Sequence, residues 1–158
     1  MNTTDEKLIQ ALYREFLQAW NDLDAEKLAA AFTDDGDLIG FDGSELQGRA
    51  QIESAIKKIF DDHGKPSGPG QGPQTGTFVA AVRSVRFLTP DIAVLTAVNG
   101  SAVSGKLVPE RNAVQALVVV RTPDGWRIAH LQNTPAQYHG RPDLAEALTK
   151  ELGKLLTR

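Results

Sequence analysis

The hydrophobic positions change their period partway along the chain. Up to about residue 63 they recur every three or four residues, and from residue 77 they alternate. Leu8, Ile9, Leu12, Tyr13, Phe16 and Trp20 form one stripe at helical spacing. Thr3 with Glu6 three residues later is a capping-box pattern, so a helix is predicted over about 4–21. Asp24 is placed to cap a second, short helix that buries Leu28 and Phe32 and stops near TDDGD (33–37), where Gly36 punctuates the chain. DLIGFDGSELQG (37–48) alternates around Asp42-Gly43, a two-residue hairpin signal. Ile52, Ala55, Ile56, Ile59 and Phe60 then mark a third amphipathic helix, with Gly64 at its C-terminal cap.

Residues 64–76 hold five glycines and three prolines, which no regular element survives. A connection of this length is a functional loop or a floppy connector. Beyond it, TFVAAVRSVRFL (77–88), IAVLTAVNGSA (92–102), RNAVQALVVVR (111–121) and WRIAHLQNT (126–134) read as four strands. Thr89-Pro90-Asp91 and Thr122-Pro123-Asp124-Gly125 supply turn chemistry between them. The strand from Ala113 to Val120 is apolar at nearly every position, the signature of burial on both faces. Helices can cover one face. The other calls for a second cover, most simply a second copy of the chain. Leu144, Leu148, Leu152 and Leu155 make a stripe on a short C-terminal helix over 142–158. The pattern predicts a single α+β domain over residues 1–158. It has three N-terminal helices with an inserted hairpin, a curved four-stranded antiparallel sheet and a closing helix.

Composition narrows the chemistry. The chain has 158 residues, enough for a full core, and its net charge of -3 gives no electrostatic footprint for nucleic acid. It has no cysteine, which removes thiol catalysis and thiolate metal sites and fits a reducing cytoplasm. The N-terminal MNTTDEKLIQ is polar and unlike a signal peptide, and no apolar run reaches the ~20 residues of a membrane span. The expected localisation is cytoplasmic. His63, His130 and His139 have no metal-site spacing, so no metal and no cofactor is expected.

The last strand carries the most informative anomaly. It runs apolar and then ends in Gln132, Asn133 and Thr134. Neither alternating set, Ala129/Leu131/Asn133 or Ile128/His130/Gln132, stays apolar to its end. Asn99, Ser101, Asn112 and Gln115 also fall near strand ends. Two readings stand: the amides satisfy loop backbone, or they form a hydrogen-bonding rim over an apolar small-molecule site.

LYREFLQAWNDLDAEKLAAAFTDDGDLIGFDG (12–43), PERNAVQALVVVRTPDGWRIAHLQNTP (109–135) and QYHGRP (137–142) resemble the SgcJ/EcaC group of SnoaL-like proteins. These belong to the nuclear transport factor 2-like superfamily, and the resemblance spans about 8–142. It implies a cone-shaped fold whose interior lies between the first and third helices and the concave sheet, with homodimers paired through the convex sheet face. It also implies a site open to several uses, among them polyketide cyclisation, isomerisation, dehydration and non-catalytic binding. The ketosteroid isomerases of this fold place a general base on the first strand and an oxyanion tyrosine on the first helix. Here those positions hold Gly40 and Phe16. A shifted arrangement would use Asp42, two residues on and on the same side of the strand, as base, and Tyr13, one turn earlier, as donor. If Asp42 faces an apolar interior beside Trp20 and Phe60, desolvation raises its pKa. The competing reading is that Asp42 serves only the turn. The implied cavity residues are Phe16, Trp20, Gly40, Phe60, Asn99, Asn112, Gln115, Leu131 and Asn133, and the implied ligand is small and apolar or polyketide-like. Arg49, Arg83 and Arg111 are either anion holders or surface ion-pair partners.

Overall fold

The computed structural model describes residues 3–66 and 74–156. The segment 67–73 of the Gly/Pro-rich stretch lies outside the described residues. The elements run α1 (Thr3–Asn21), α2 (Ala25–Ala30), β1 (Phe32–Ile39), β2 (Glu45–Gln47), α3 (Arg49–His63), β3 (Thr77–Thr89), β4 (Ile92–Val103), β5 (Lys106–Leu107), a 3-10 turn (Pro109–Arg111), β6 (Ala113–Thr122), β7 (Gly125–Pro135) and α4 (Pro142–Leu155). The predicted α+β architecture is present, with its long strands within about two residues of their expected places. The sheet order is β2-β1-β7-β6-β4-β3, with β5 on β4. The four-stranded meander is extended by β1, which pairs parallel with β7, so the sheet is mixed and unclosed.

Three local expectations change. Asp24 does cap α2, accepting from the Lys27 N–H at 3.0 Å. The helix nevertheless ends at Ala30, and Phe32 is buried on β1. TDDGD is therefore strand, and Gly36 interrupts the ladder instead of ending a helix. The β1–β7 register shifts between Phe32 and Asp37. A Cβ on Gly36 would stand 2.9 Å from the Ile128 carbonyl oxygen, so only glycine permits this approach. The hairpin turn also differs. Gly40 N–H donates to Ser44 O, and Gly43 N–H donates to Gly40 O. Phe41 and Asp42 are thus the central turn residues, and Gly43 follows at φ 89°. This is a three-residue loop with a bulge glycine, not a two-residue turn.

The two sheet faces are distinct. On the inner face Ala93, Leu95, Ala97, Leu117, Val119, Ile128 and Leu131 pack against Ile9, Leu12, Phe16, Ile52 and Ile56 of α1 and α3. On β6 this face takes Ala113, Gln115, Leu117 and Val119, all buried, while Val114, Val118 and Val120 are half-buried and Ala116 is exposed. The outer face receives α4. Leu148 and Leu152 form a cluster with Val98, joined by Val79, Ala81 and Val114. Bonds from Arg83 to Glu151 (2.5 and 2.6 Å) and from Asn112 Nδ2 to Thr149 Oγ1 (3.0 Å) fasten it. The tail leucines therefore lie on the side of the sheet opposite to α1 and α3. Leu144 is exposed.

A bulge in β7 resolves the mixed pattern of its sequence. Val118 pairs with His130 and Val119 with Ile128, which leaves Ala129 as the extra residue. Trp126 and Ile128 face inward before the bulge. Leu131 and Asn133 face inward after it. His130 faces outward beside Val118, its Nδ1 2.8 Å from Asp37 Oδ1. A strict period of two cannot describe such a strand, which is why neither alternating set stayed apolar.

Candidate functional site

Helix α1 lies along the inner face of the sheet. Near its start the buried Asp5 accepts two bonds from Arg121 (2.8 and 3.1 Å) and one from Trp126 Nε1 (3.1 Å). Arg121 also bonds Asp91 and lies 4.6 Å from the Trp126 ring centroid. This knot joins α1 to the β3–β4 and β6–β7 turns. It holds the one buried carboxylate among the described residues.

Two turns along α1, Tyr13 reaches the inner sheet face. Its hydroxyl donates to Gln115 Oε1 at 2.5 Å. Gln115 Nε2 donates to Asn133 Oδ1 at 2.7 Å. Gln115 and Asn133 are cross-strand partners in the β6–β7 ladder, and Ala97 opposite Gln115 is small. Burial pushes the Tyr13 phenol well above its ordinary range, a shift that the Asn99 side chain partly opposes. The phenol is therefore neutral at physiological pH and acts as a donor. The hydrogen-bonded chain reads Tyr13, Gln115, Asn133, with Asn99 on the same inner face. Asn99, Tyr13 and Gln115 are buried and Asn133 is half-buried. No hydrogen bond of Asn133 Nδ2 appears among the described residues. Such chains polarise along their length, so a donor at the end is strengthened.

Aromatic rings line the rest of this side. Tyr13 stacks near Phe16 (6.5 Å between centroids), and Phe16 meets Phe32 edge-on. Trp20 stacks on Phe78 at 4.9 Å and meets Phe60 edge-on at 5.1 Å. Asn21 bonds both the N–H and the carbonyl of Phe78, fixing the end of α1 to β3.

The structure brings together Tyr13, Phe16, Asn99, Gln115, Leu131 and Asn133 on the inner face of the fold, with Trp20 and Phe60 further along. It does not bring in the others. Asp42 sits on the exposed hairpin tip and accepts the Ser44 N–H at 2.9 Å, which holds its carboxyl below the usual range. The condition for a catalytic Asp42, desolvation beside Trp20 and Phe60, is not met, because an aspartate at this turn position bonds its own backbone two residues on. Gly40 belongs to the same turn. Asn112 bonds Thr149 and so serves α4. Tyr13 spends its proton on Gln115 and is not a free oxyanion donor. Arg49 pairs with Asp34 and Arg83 with Glu151, while Arg111 donates to the Gln74 carbonyl at 3.2 Å. Sequence reasoning missed Phe78. Its alternation with Val79 and Ala80 was legible, but its stacking on Trp20 was not.

An open groove of about 640 Å³ lies elsewhere, lined by Asp34, Arg49, Ala50, Glu53, Ser54 and Lys57. Two of its four charged residues, Arg49 and Asp34, pair with each other at 2.7 Å. Among the described residues no three His, Cys, Asp or Glu side chains converge as metal ligands, and no helix is long and apolar enough to cross a membrane.

The chain belongs to the SnoaL-like domain family, whose match covers residues 9–136. A protein from Nostoc punctiforme with a cystatin-like fold and unknown function is similar at 27% identity and a TM-score of 0.75, covering 99% of this chain and 94% of that one. A ketosteroid isomerase-like protein from Erwinia carotovora atroseptica shares the fold at 17% identity and a TM-score of 0.67, covering 86% and 99%. A nuclear transport factor 2-like protein of unknown function from Shewanella oneidensis does so at 18% identity and a TM-score of 0.64, covering 82% and 98%. No curated protein matches the sequence.

Proposed function

We propose that this chain binds a small, mostly apolar molecule on the inner face of its sheet and holds a carbonyl of that molecule on the Asn133 amide. One observation carries this reading. The buried donor chain from Tyr13 through Gln115 ends on a half-buried Asn133 whose Nδ2 donors are free of protein partners among the described residues. Small-molecule sites combine such placed polar groups with apolar walls, here Phe16, Leu131, Trp20, Phe60 and Phe78. A polyketide-like ketone fits that combination. The finer kinship with the SgcJ/EcaC group agrees with it.

Acid/base catalysis of cyclisation, isomerisation or dehydration needs a titrating group at the ligand. The interior offers a neutral phenol and amides, and Asp42 lies on the outer turn. The arrangement therefore favours binding without proton transfer. In the same reading the chain acts in the cytoplasm as a homodimer paired through the outer face, where Val94, Val118 and Val120 are half-buried and lie outside the cluster that α4 forms among the described residues.

The test is calorimetric titration with 2-acetylnaphthalene. Wild type is expected to bind, Asn133→Ala to lose about tenfold in affinity or more, and Asp42→Asn to bind as wild type. Loss of binding in Asp42→Asn with Asn133→Ala unaffected would reverse the assignment in favour of the turn carboxylate.

A further inference from the structure

A second donor near this site has no partner. Trp20 Nε1 is a buried N–H with no hydrogen bond among the described residues. It belongs to a ring fixed on both sides, stacked on Phe78 and edge-on to Phe60. The other tryptophan is the contrast: Trp126 Nε1 is satisfied by the Asp5 carboxylate. A buried indole N–H without an acceptor loses its hydration and gains nothing in return. Tyr13 and Trp20 are seven residues apart, on one face of α1 and about 10 Å along its axis. Phe16 lies between them, packed near Tyr13.

Resting on the binding reading above, we infer that Trp20 is a specificity-determining donor. It selects ligands with a second neutral oxygen acceptor at the end remote from the carbonyl held by Asn133. The class defined is an elongated, flat, uncharged molecule, two or three fused rings long, with an acceptor oxygen at each end. Phe16 and Leu131 supply apolar wall for its body. Neither terminal group of the site is charged, so a neutral oxygen suits both ends, and an ionised carboxylate would enter a largely apolar region without a cation to meet it. No proton moves in this recognition.

The experiment compares 2-acetylnaphthalene, with one acceptor, and 2,6-diacetylnaphthalene, with one at each end. Calorimetry is run on wild type, Trp20→Phe and Asn133→Ala, and the two indole N–H signals are followed by ¹⁵N NMR. Trp20→Phe keeps an aromatic ring beside Phe78 and removes the donor together with part of the ring, so the ratio between the two probes, not the affinity for either, reads out the donor. Wild type is expected to bind the two-ended probe about three- to tenfold more tightly than the one-ended probe. Trp20→Phe is expected to abolish that preference, so that the two probes bind equally, whatever the change of ring costs both of them. The Trp20 N–H signal should move downfield with the two-ended probe only. Equal preference in wild type and Trp20→Phe, with the indole signal unmoved, would overturn the inference and leave the Asn133 reading intact. It would assign the N–H to the face of a neighbouring ring. Failure of both probes to bind wild type would overturn the binding reading, and this inference with it.

Discussion

Replacing Tyr13 by Phe tests whether the interior polar chain is built as described. The substitution keeps the ring beside Phe16 and deletes one oxygen. That oxygen donates to Gln115 Oε1, and Tyr13 and Gln115 are each only 1% exposed. No water replaces the lost partner at such burial. The cost is the bond itself, about 1 kcal/mol net, plus part of the roughly 1–3 kcal/mol of an unsatisfied buried amide oxygen. A loss of about 2 kcal/mol is expected. For a chain of this size that lowers the Tm by about 4–8 °C. Replacing both partners, Tyr13→Phe with Gln115→Leu, removes the stranded group and should cost less than the two single losses added together. The coupling expected is about 1–2 kcal/mol. Urea unfolding monitored by circular dichroism measures all four states. A single-variant loss under about 0.5 kcal/mol, or strict additivity, would refute the claim that Tyr13 and Gln115 hold each other in a dry interior.

Other consequences are as direct. The Tyr13 phenol has a raised pKa in the folded state, so its contribution to stability is complete below the unfolded value of about 10 and is lost as pH rises above it. Stability should therefore fall above about pH 10 more steeply in wild type than in Tyr13→Phe, and equal slopes would contradict the buried phenol. Gly36→Ala pushes a Cβ to 2.9 Å from the Ile128 carbonyl oxygen. It should cost about 1–3 kcal/mol and shift amide resonances of β1 and β7 together; an unchanged Tm would mean that the close approach is absent. Leu152→Ala empties the contact under α4 and should cost about 2–5 kcal/mol. It should speed hydrogen exchange in α4 while leaving the Tyr13 and Asn133 resonances in place. Movement of those resonances would put α4 on the wrong face.

The long elements were legible because their signals are local and repeated. The α1 stripe, the α3 stripe and the four long strands each carry several residues in one period. The polar residues of the site were legible as a group, because amides at strand ends break a pattern that burial otherwise enforces. Their sorting was not. Asn112 and Asn99 look alike in sequence, yet one faces α4 and the other the interior. The inward face of β7 depends on a one-residue bulge at Ala129, which leaves no mark in composition. Asp42 misled for a physical reason. An aspartate at a turn and an aspartate at a cavity mouth occupy the same place along the chain, and only the Ser44 N–H bond on an exposed tip separates them. β1 was partly missed because its acidic TDDGD sequence reads as a turn, while the pairing with β7 that makes it a strand comes from about 90 residues away.

The central claim is that the polar chain ends on an Asn133 amide that holds a ligand carbonyl inside the fold. A crystal structure of the protein with 2-acetylnaphthalene tests it most directly. The account predicts the ring between α1 and the inner sheet face, with its carbonyl oxygen about 2.9 Å from Asn133 Nδ2. The ring found on the outer sheet face, or inside with its carbonyl turned away from Asn133, would contradict it.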